Sequence, residues 1–205
     1  MLFRSIKDGM ECLFDADKPH FATWLWIYNE DRGGVSMSTP CPEKPEAVPL
    51  YYAARLGFRD LAAHLIAEHP EHVNAHGGVE VTPMHAAARA GRADVLSLLL
   101  EHGAELEGRA VYNMTPLHVA SCYGKLEAGK WLLDHGADIN TRDRDDWTAL
   151  RWAVTEKNNI QLVRLLLERG ADANARDKDG MVASQHTDEQ EVVELLTEYG
   201  AKSVK

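Results

Sequence analysis

The residues whose types and spacing could do chemistry lie in four places. Gly124-Lys125-Leu126-Glu127-Ala128-Gly129-Lys130 has the spacing of a loop whose backbone N–H groups and lysine cradle nucleotide phosphates. The next residue is Trp131, where magnesium would need a Ser or Thr hydroxyl, so nucleotide binding is not expected. His64, His69, His72 and His76 lie close together, and imidazoles so placed could ligate zinc. His69, His102 and His135 recur at steps of 33 residues, however, so they read as structural and no metal is expected. Asp143, Asp145 and Asp146 spell part of a calcium loop without its later bidentate Glu, which leaves a solvated turn. Asn113-Met114-Thr115 has the form of a glycosylation acceptor, but Met1–Asp8 lacks the uninterrupted apolar stretch of a secretory signal, so Asn113 is expected unmodified. No nucleophile–base pair or carboxylate dyad is tied to a site, and the Asp and Glu residues read as solvated helix faces. The chain reads as a non-enzyme without cofactor or metal.

The elements that hold these residues follow a period. Val48-Pro49-Leu50-Tyr51-Tyr52-Ala53-Ala54 recurs from Thr82, from Thr115 and from Thr148, at steps of 34, 33 and 33 residues. A second anchor runs in phase: Leu99-Leu100-Glu101-His102-Gly103-Ala104 is matched from Leu132 and from Leu166, with a worn copy from Leu65 and a last one from Leu195. Such a period means a stack of small units that bury their apolar stripes against neighbours. Thr82 and Thr115 stand where a helix N-cap is needed, with proline at the first helical position. Gly57, Gly91 and Gly124 end these first helices; leucine-rich second helices follow and stop at Gly103, Gly136 and Gly170. In the fourth copy Lys157-Asn158-Asn159 replaces the glycine turn. In the last, Met181–His186 is too short for a first helix, and a helix is expected from Thr187 with Gln190 completing a capping box. Before the first copy, Phe21, Trp24, Leu25 and Tyr28 predict a helix over Pro19–Asn29, paired with one over 2–14, then a long loop over 32–46.

The bulk numbers agree with a binding module. The chain has 205 residues and a formal net charge of −10, which opposes non-specific nucleic-acid binding and weakly favours basic partners. No apolar run is long enough to span a bilayer, so no membrane is expected. Cys12, Cys41 and Cys122 are scattered and odd in number, which fits a reduced cytoplasmic, or nuclear, compartment.

The two anchors in phase resemble the ankyrin repeat. The resemblance implies an all-α fold: an α-solenoid of stacked helix-turn-helix units with finger-like β-turn loops and helical caps. Residues 1–47 would form an N-terminal helical cap and loop. Four repeats would occupy about 48–81, 82–114, 115–147 and 148–180, and 181–205 a shortened C-terminal capping repeat. In the family, imidazoles at the positions of His85 and His118 bond neighbouring loop backbone, and glycines stand at those of Gly91 and Gly124; these four are expected to be structural. Asp138-Ile139-Asn140 resembles sites of asparagine hydroxylation in animal ankyrin proteins, although the same residues are repeat consensus.

Arrays of this kind bind proteins through the fingers and the inner face of the first helices. On the fingers the residues free of stacking duty include Val81, Tyr112, Met114, Arg144 and Trp147, with Val79 and Val111 beside them. On the inner helix face they include Arg55, Arg89, Tyr123 and Glu156. Tyr112, Met114, Tyr123 and Trp147 are expected to cluster, since aromatic and Met side chains mark interface cores. The expected function is non-catalytic binding of a partner protein by a monomer. A second reading comes from Phe14–Asn29, which resembles a stretch beside ankyrin arrays in fungal proteins with a NACHT-type nucleotide switch. It implies a ligand-sensing or autoregulatory region of a larger protein.

Overall fold

The computed structural model describes residues 48–77, 81–156 and 159–200. The expected helices over 2–14 and Pro19–Asn29, the loop over 32–46, Cys12, Cys41, Val79, and Lys157 and Asn158 of the fourth turn lie outside the described residues.

Nine α-helices and no strand are present among the described residues. They alternate as first and second members of helix pairs: α1 (Pro49–Leu56) and α2 (Arg59–Glu68), α3 (Pro83–Ala90) and α4 (Ala93–Glu101), α5 (Pro116–Cys122) and α6 (Leu126–Asp134), α7 (Ala149–Ala153) and α8 (Ile160–Glu168), then α9 (Gln190–Glu198). The first helices pack on one another in sequence, α1 on α3 on α5 on α7, and the second helices do the same from α2 to α9. The result is a two-layer, all-α stack in which each unit touches its neighbours. Small residues let the first helices approach: Ala53, Ala54, Ala86, Ala87, Ala88, Ala120 and Ala153 are all buried. Leu96, Leu99, Leu132, Leu162 and Leu166 fill the second layer.

Two glycines show why the helices turn and pack as they do. Gly91 caps α3 at φ +74°, and its N–H reaches the carbonyls of Ala87 and Ala88. A Cβ added there would meet Lys125 Cδ at 3.5 Å, an ordinary contact, so the obstacle to a side chain is conformational. Gly91→Ala should therefore lower stability by about 1–2 kcal/mol in urea unfolding, the cost of holding an L-residue left-handed; an unchanged midpoint would contradict this. Gly129 sits mid-helix in α6, where a Cβ would fall 2.8 Å from Leu162 Cδ1. Its lack of a side chain leaves the space that the Leu162 side chain of α8 occupies.

Helix starts differ from the sequence expectation at two places. Thr115 caps α5 as expected, its Oγ1 accepting from the N–H of His118. Thr82 makes no such cap; its Oγ1 lies 2.8 Å from His85 Nδ1 instead. The last helix begins at Gln190 rather than near Thr187, because Thr187 Oγ1 accepts from Glu189 N–H (3.2 Å) and closes a local turn. Gln190 is not part of a capping box there; its Nε2 donates to Glu194 Oε1 one turn on. At the fourth turn Asn159 is buried and donates to Ala153 O (3.1 Å), a side chain satisfying a helix-end carbonyl.

Candidate functional site

The fingers are built by one repeated bond pattern. Gly77 N–H donates to Val81 O, Ala110 to Met114, Asp143 to Trp147 and Asp177 to Met181, at 2.9–3.0 Å. Inside three of these loops a tight turn is closed by Asn113 N–H to Ala110 O, Asp146 to Asp143 and Gly180 to Asp177. The residue closing each turn has positive φ, and Asn, Asp and Gly tolerate that best. Tyr112 is the exception: it precedes Asn113 at φ +60° while 54% exposed. A bulky residue held left-handed is a strained feature, and the next finger holds it there: Arg144 N–H donates to Tyr112 O (2.7 Å).

Imidazoles tie finger to helix. His85 is fully buried, and its Nε2–H donates to Met114 O (3.1 Å). His118 Nε2–H donates to Thr141 O and Trp147 O at 3.1 and 3.0 Å. Thr115 N–H points at His118 Nδ1 (3.1 Å), which fixes Nδ1 as acceptor and Nε2 as the protonated nitrogen. Burial pushes His85 down to about 4 and lowers His118 as well.

Carboxylates brace the later fingers. Asp143 Oδ1 accepts from Asp145 N–H and Trp147 N–H, and its Oδ2 from Trp152 Nε1–H (2.9 Å). Asp177 repeats this with Asp179 N–H, Met181 N–H and His186 Nε2 (3.0 Å). The donor side chain stands nine residues after the aspartate both times. Between them lies Arg151, in the register of His85 and His118. It is buried, its Nε 3.9 Å from Asp177 Oδ2 and its guanidinium 3.9 Å from the Trp147 ring centre. Burial brings Arg151 down to about 10 against the pull of Asp177 and Asp143. His186 is likewise lowered, by burial and by Arg151.

The outward residues pair differently. Arg89 lies over the Tyr123 ring at 4.5 Å and Arg144 over Tyr112 at 4.7 Å. Tyr123 is 43% exposed. Arg144 and Glu156 are exposed, whereas Arg55, Val81, Arg89, Met114 and Trp147 are half-buried. Among the described residues no ring contact joins Tyr112, Tyr123 and Trp147; the Trp147 ring faces Trp152 and His186. One feature of the fingers escapes single-residue reading: Arg109 Nη1 donates to Arg142 O, and Arg142 Nη1 to Arg176 O. This ladder stitches successive fingers, and its signal in the sequence is register alone, arginine recurring at steps of 33 and 34 residues.

The other chemical spellings resolve into structure. Of Gly124–Lys130, the part from Leu126 onward is helix α6. Asn140 Oδ1 accepts from Asp172 N–H (2.9 Å), as Asn74 Oδ1 does from Glu105 N–H. His102 Nδ1 and His135 Nδ1 meet Leu98 O and Trp131 O of their own helices. His69 does not; its Nδ1 lies 3.2 Å from Glu71 Oε1, beside His72. No helix among the described residues is long and apolar enough to cross a membrane.

Comparison with known proteins bears on this geometry directly. A family model described as ankyrin repeats (3 copies) matches residues 50–143 and 106–177. The azaphilone pigments biosynthesis cluster protein L of Monascus ruber is 31% identical over 103 residues, covering 46% of this chain and 22% of that protein. The chain thus spans less than a quarter of the length of that relative.

Proposed function

This chain belongs to the ankyrin-repeat family, and from that premise we propose that it binds a partner protein, without catalysis, through its fingers and the inner face of its first helices. Ankyrin repeats are in general protein-interaction modules. The single observation that carries the reading is the pair of exposed tyrosines, Tyr112 and Tyr123, each under an arginine from a neighbouring unit. A stacked Arg–Tyr pair offers a partner a flat apolar face and fixed N–H donors with little entropy left to lose. Arg55, Val81, Met114, Trp147 and Glu156 complete the surface around Arg89, Arg144 and the two tyrosines. The protein acts as a monomer in the cytoplasm or nucleus, and its stack runs as four repeats over 48–180 followed by a shortened one.

The test is affinity capture from source-cell lysate with the intact chain and with Tyr112→Ala/Tyr123→Ala. Truncating two interface anchors should cost about 2 kcal/mol or more each and so release the partner. The helical circular dichroism should be unchanged, since both rings are exposed. Trp147 stays native in this variant because its ring covers Arg151. A partner retained equally by both chains would refute the surface assignment.

A second reading is favoured by the length of the matched relative. The stack would then be a sensing or autoregulatory region of a longer protein, such as the NACHT-type switch proteins that Phe14–Asn29 resembles. The native transcript decides: translation starting at Met1 and stopping directly after Lys205 would count against it.

A further inference from the structure

The worn second anchor at the end of α2 sets His69 apart from its counterparts. Where the later copies have Gly103, Gly136 and Gly170, this one has Pro70, and a 3₁₀ helix over Pro70–Asn74 follows. Three residues per turn eclipse positions i and i+3, so His69 and His72 stand on one side of it. Their rings stack at 4.9 Å between centres, and His72 N–H donates to His69 O (3.0 Å). Glu71 Oε1 lies 3.2 Å from His69 Nδ1 and 3.9 Å from His72 Nε2. All three ligand-capable atoms fall within 4.8 Å of one another. Two donors at about 2.1 Å from a tetrahedral ion stand about 3.4 Å apart, so small side-chain rotations would bring the three to coordination distance.

From this juxtaposition we propose that His69, Glu71 and His72 form a site for a divalent transition-metal ion of the zinc class. Two neutral imidazoles and a carboxylate suit that borderline-soft class better than calcium or magnesium, which prefer all-oxygen shells. Pro70 fixes the backbone between the ligands, so little chain entropy is lost on binding. Three protein ligands leave a position for water or for a further donor. The chain's net charge of −10 favours any cation approaching it. The site follows a second helix and lies outside the finger and first-helix residues assigned to the protein partner, so neither reading depends on the other. It departs from the sequence reading, in which periodic recurrence made these histidines structural; at this copy the recurrence is broken by Pro70.

The experiment is titration of the untagged, metal-stripped full chain with Zn²⁺ alone, alongside His72→Asn and Glu71→Gln. The expected result is a single Zn²⁺ per chain, weakened about tenfold or more in each variant, since loss even of an outer-shell partner has an effect of that size. Ring-nitrogen shifts in the intact chain should move at His69 and His72 and not at His102. Because Glu71 is exposed and His72 only half-buried, the variants should keep the intact circular dichroism. Absence of binding, binding undiminished in both variants, or shifts confined to other histidines would overturn the proposal.

Discussion

Acidification from about pH 7 to about pH 4 removes about 3 kcal/mol of stability through His85 alone. The sign follows from the two states. In the unfolded chain His85 takes up a proton near its ordinary 6.5; in the folded chain burial delays this to about 4. Between those values the unfolded state holds the extra proton, so stability is fully present above 6.5 and drains as pH falls through the window. The folded site resists the proton because the imidazole is fully buried away from water, a penalty on the charged ring that outweighs the opposing pull of the Met114 carbonyl on Nε2–H. His118 acts in the same direction, and there the fixed Thr115 N–H aimed at Nδ1 would oppose an added proton directly. Urea unfolding across the window should show a steeper decline for the intact chain than for His85→Gln. Superimposable slopes would contradict the assignment. The added proton falls on Nδ1, at the Thr82 and Thr115 helix starts, while Nε2–H keeps its bonds to finger carbonyls.

Asp177→Ala should cost about 3–5 kcal/mol, the scale expected when one member of a buried ion pair is removed and the other charge remains. Asp177 does two jobs. Its Oδ1 gathers Asp179 N–H and Met181 N–H, and its Oδ2 faces His186 and Arg151. Arg151 cannot easily escape to water, since it is buried beneath Trp147, and its Nε and Nη1 make no hydrogen bond among the described residues. Asp177→Asn keeps an acceptor for the loop and loses only the charge, so it should fall between the intact chain and the alanine variant. Arg151→Met added to Asp177→Ala should recover much of the loss, because it removes the uncompensated charge and keeps most of the volume. Equilibrium unfolding of the intact chain, Asp177→Ala, Arg151→Met and the double variant gives the coupling. An alanine variant within about 1 kcal/mol of the intact chain, or no recovery in the double variant, would show that the ion pair does not hold this end of the stack.

The sequence by itself determined the period, the helix pairs, the glycine turns and the all-α stacked architecture. In a repeat fold each unit meets only local constraints and copies of its neighbours, so two motifs in phase specify nearly everything about the backbone. It also marked the helix-opening histidines, because their spacing to threonine is local. The tertiary structure decided what happens where copies diverge. Arg151 stands where His85 and His118 stand, yet it is buried against Asp177, a residue of the next finger. Trp147 reads as a free finger aromatic, yet its ring is turned to Trp152, His186 and Arg151. Thr187 has the composition of a cap, yet it closes a turn ahead of the helix. His69 shares a register with His102 and His135, yet Pro70 turns it toward Glu71. Each outcome depends on contacts the consensus does not encode, most of them reaching into the next unit. A side chain's burial and protonation follow from which neighbour the stack brings against it, and the repeat period alone does not supply that.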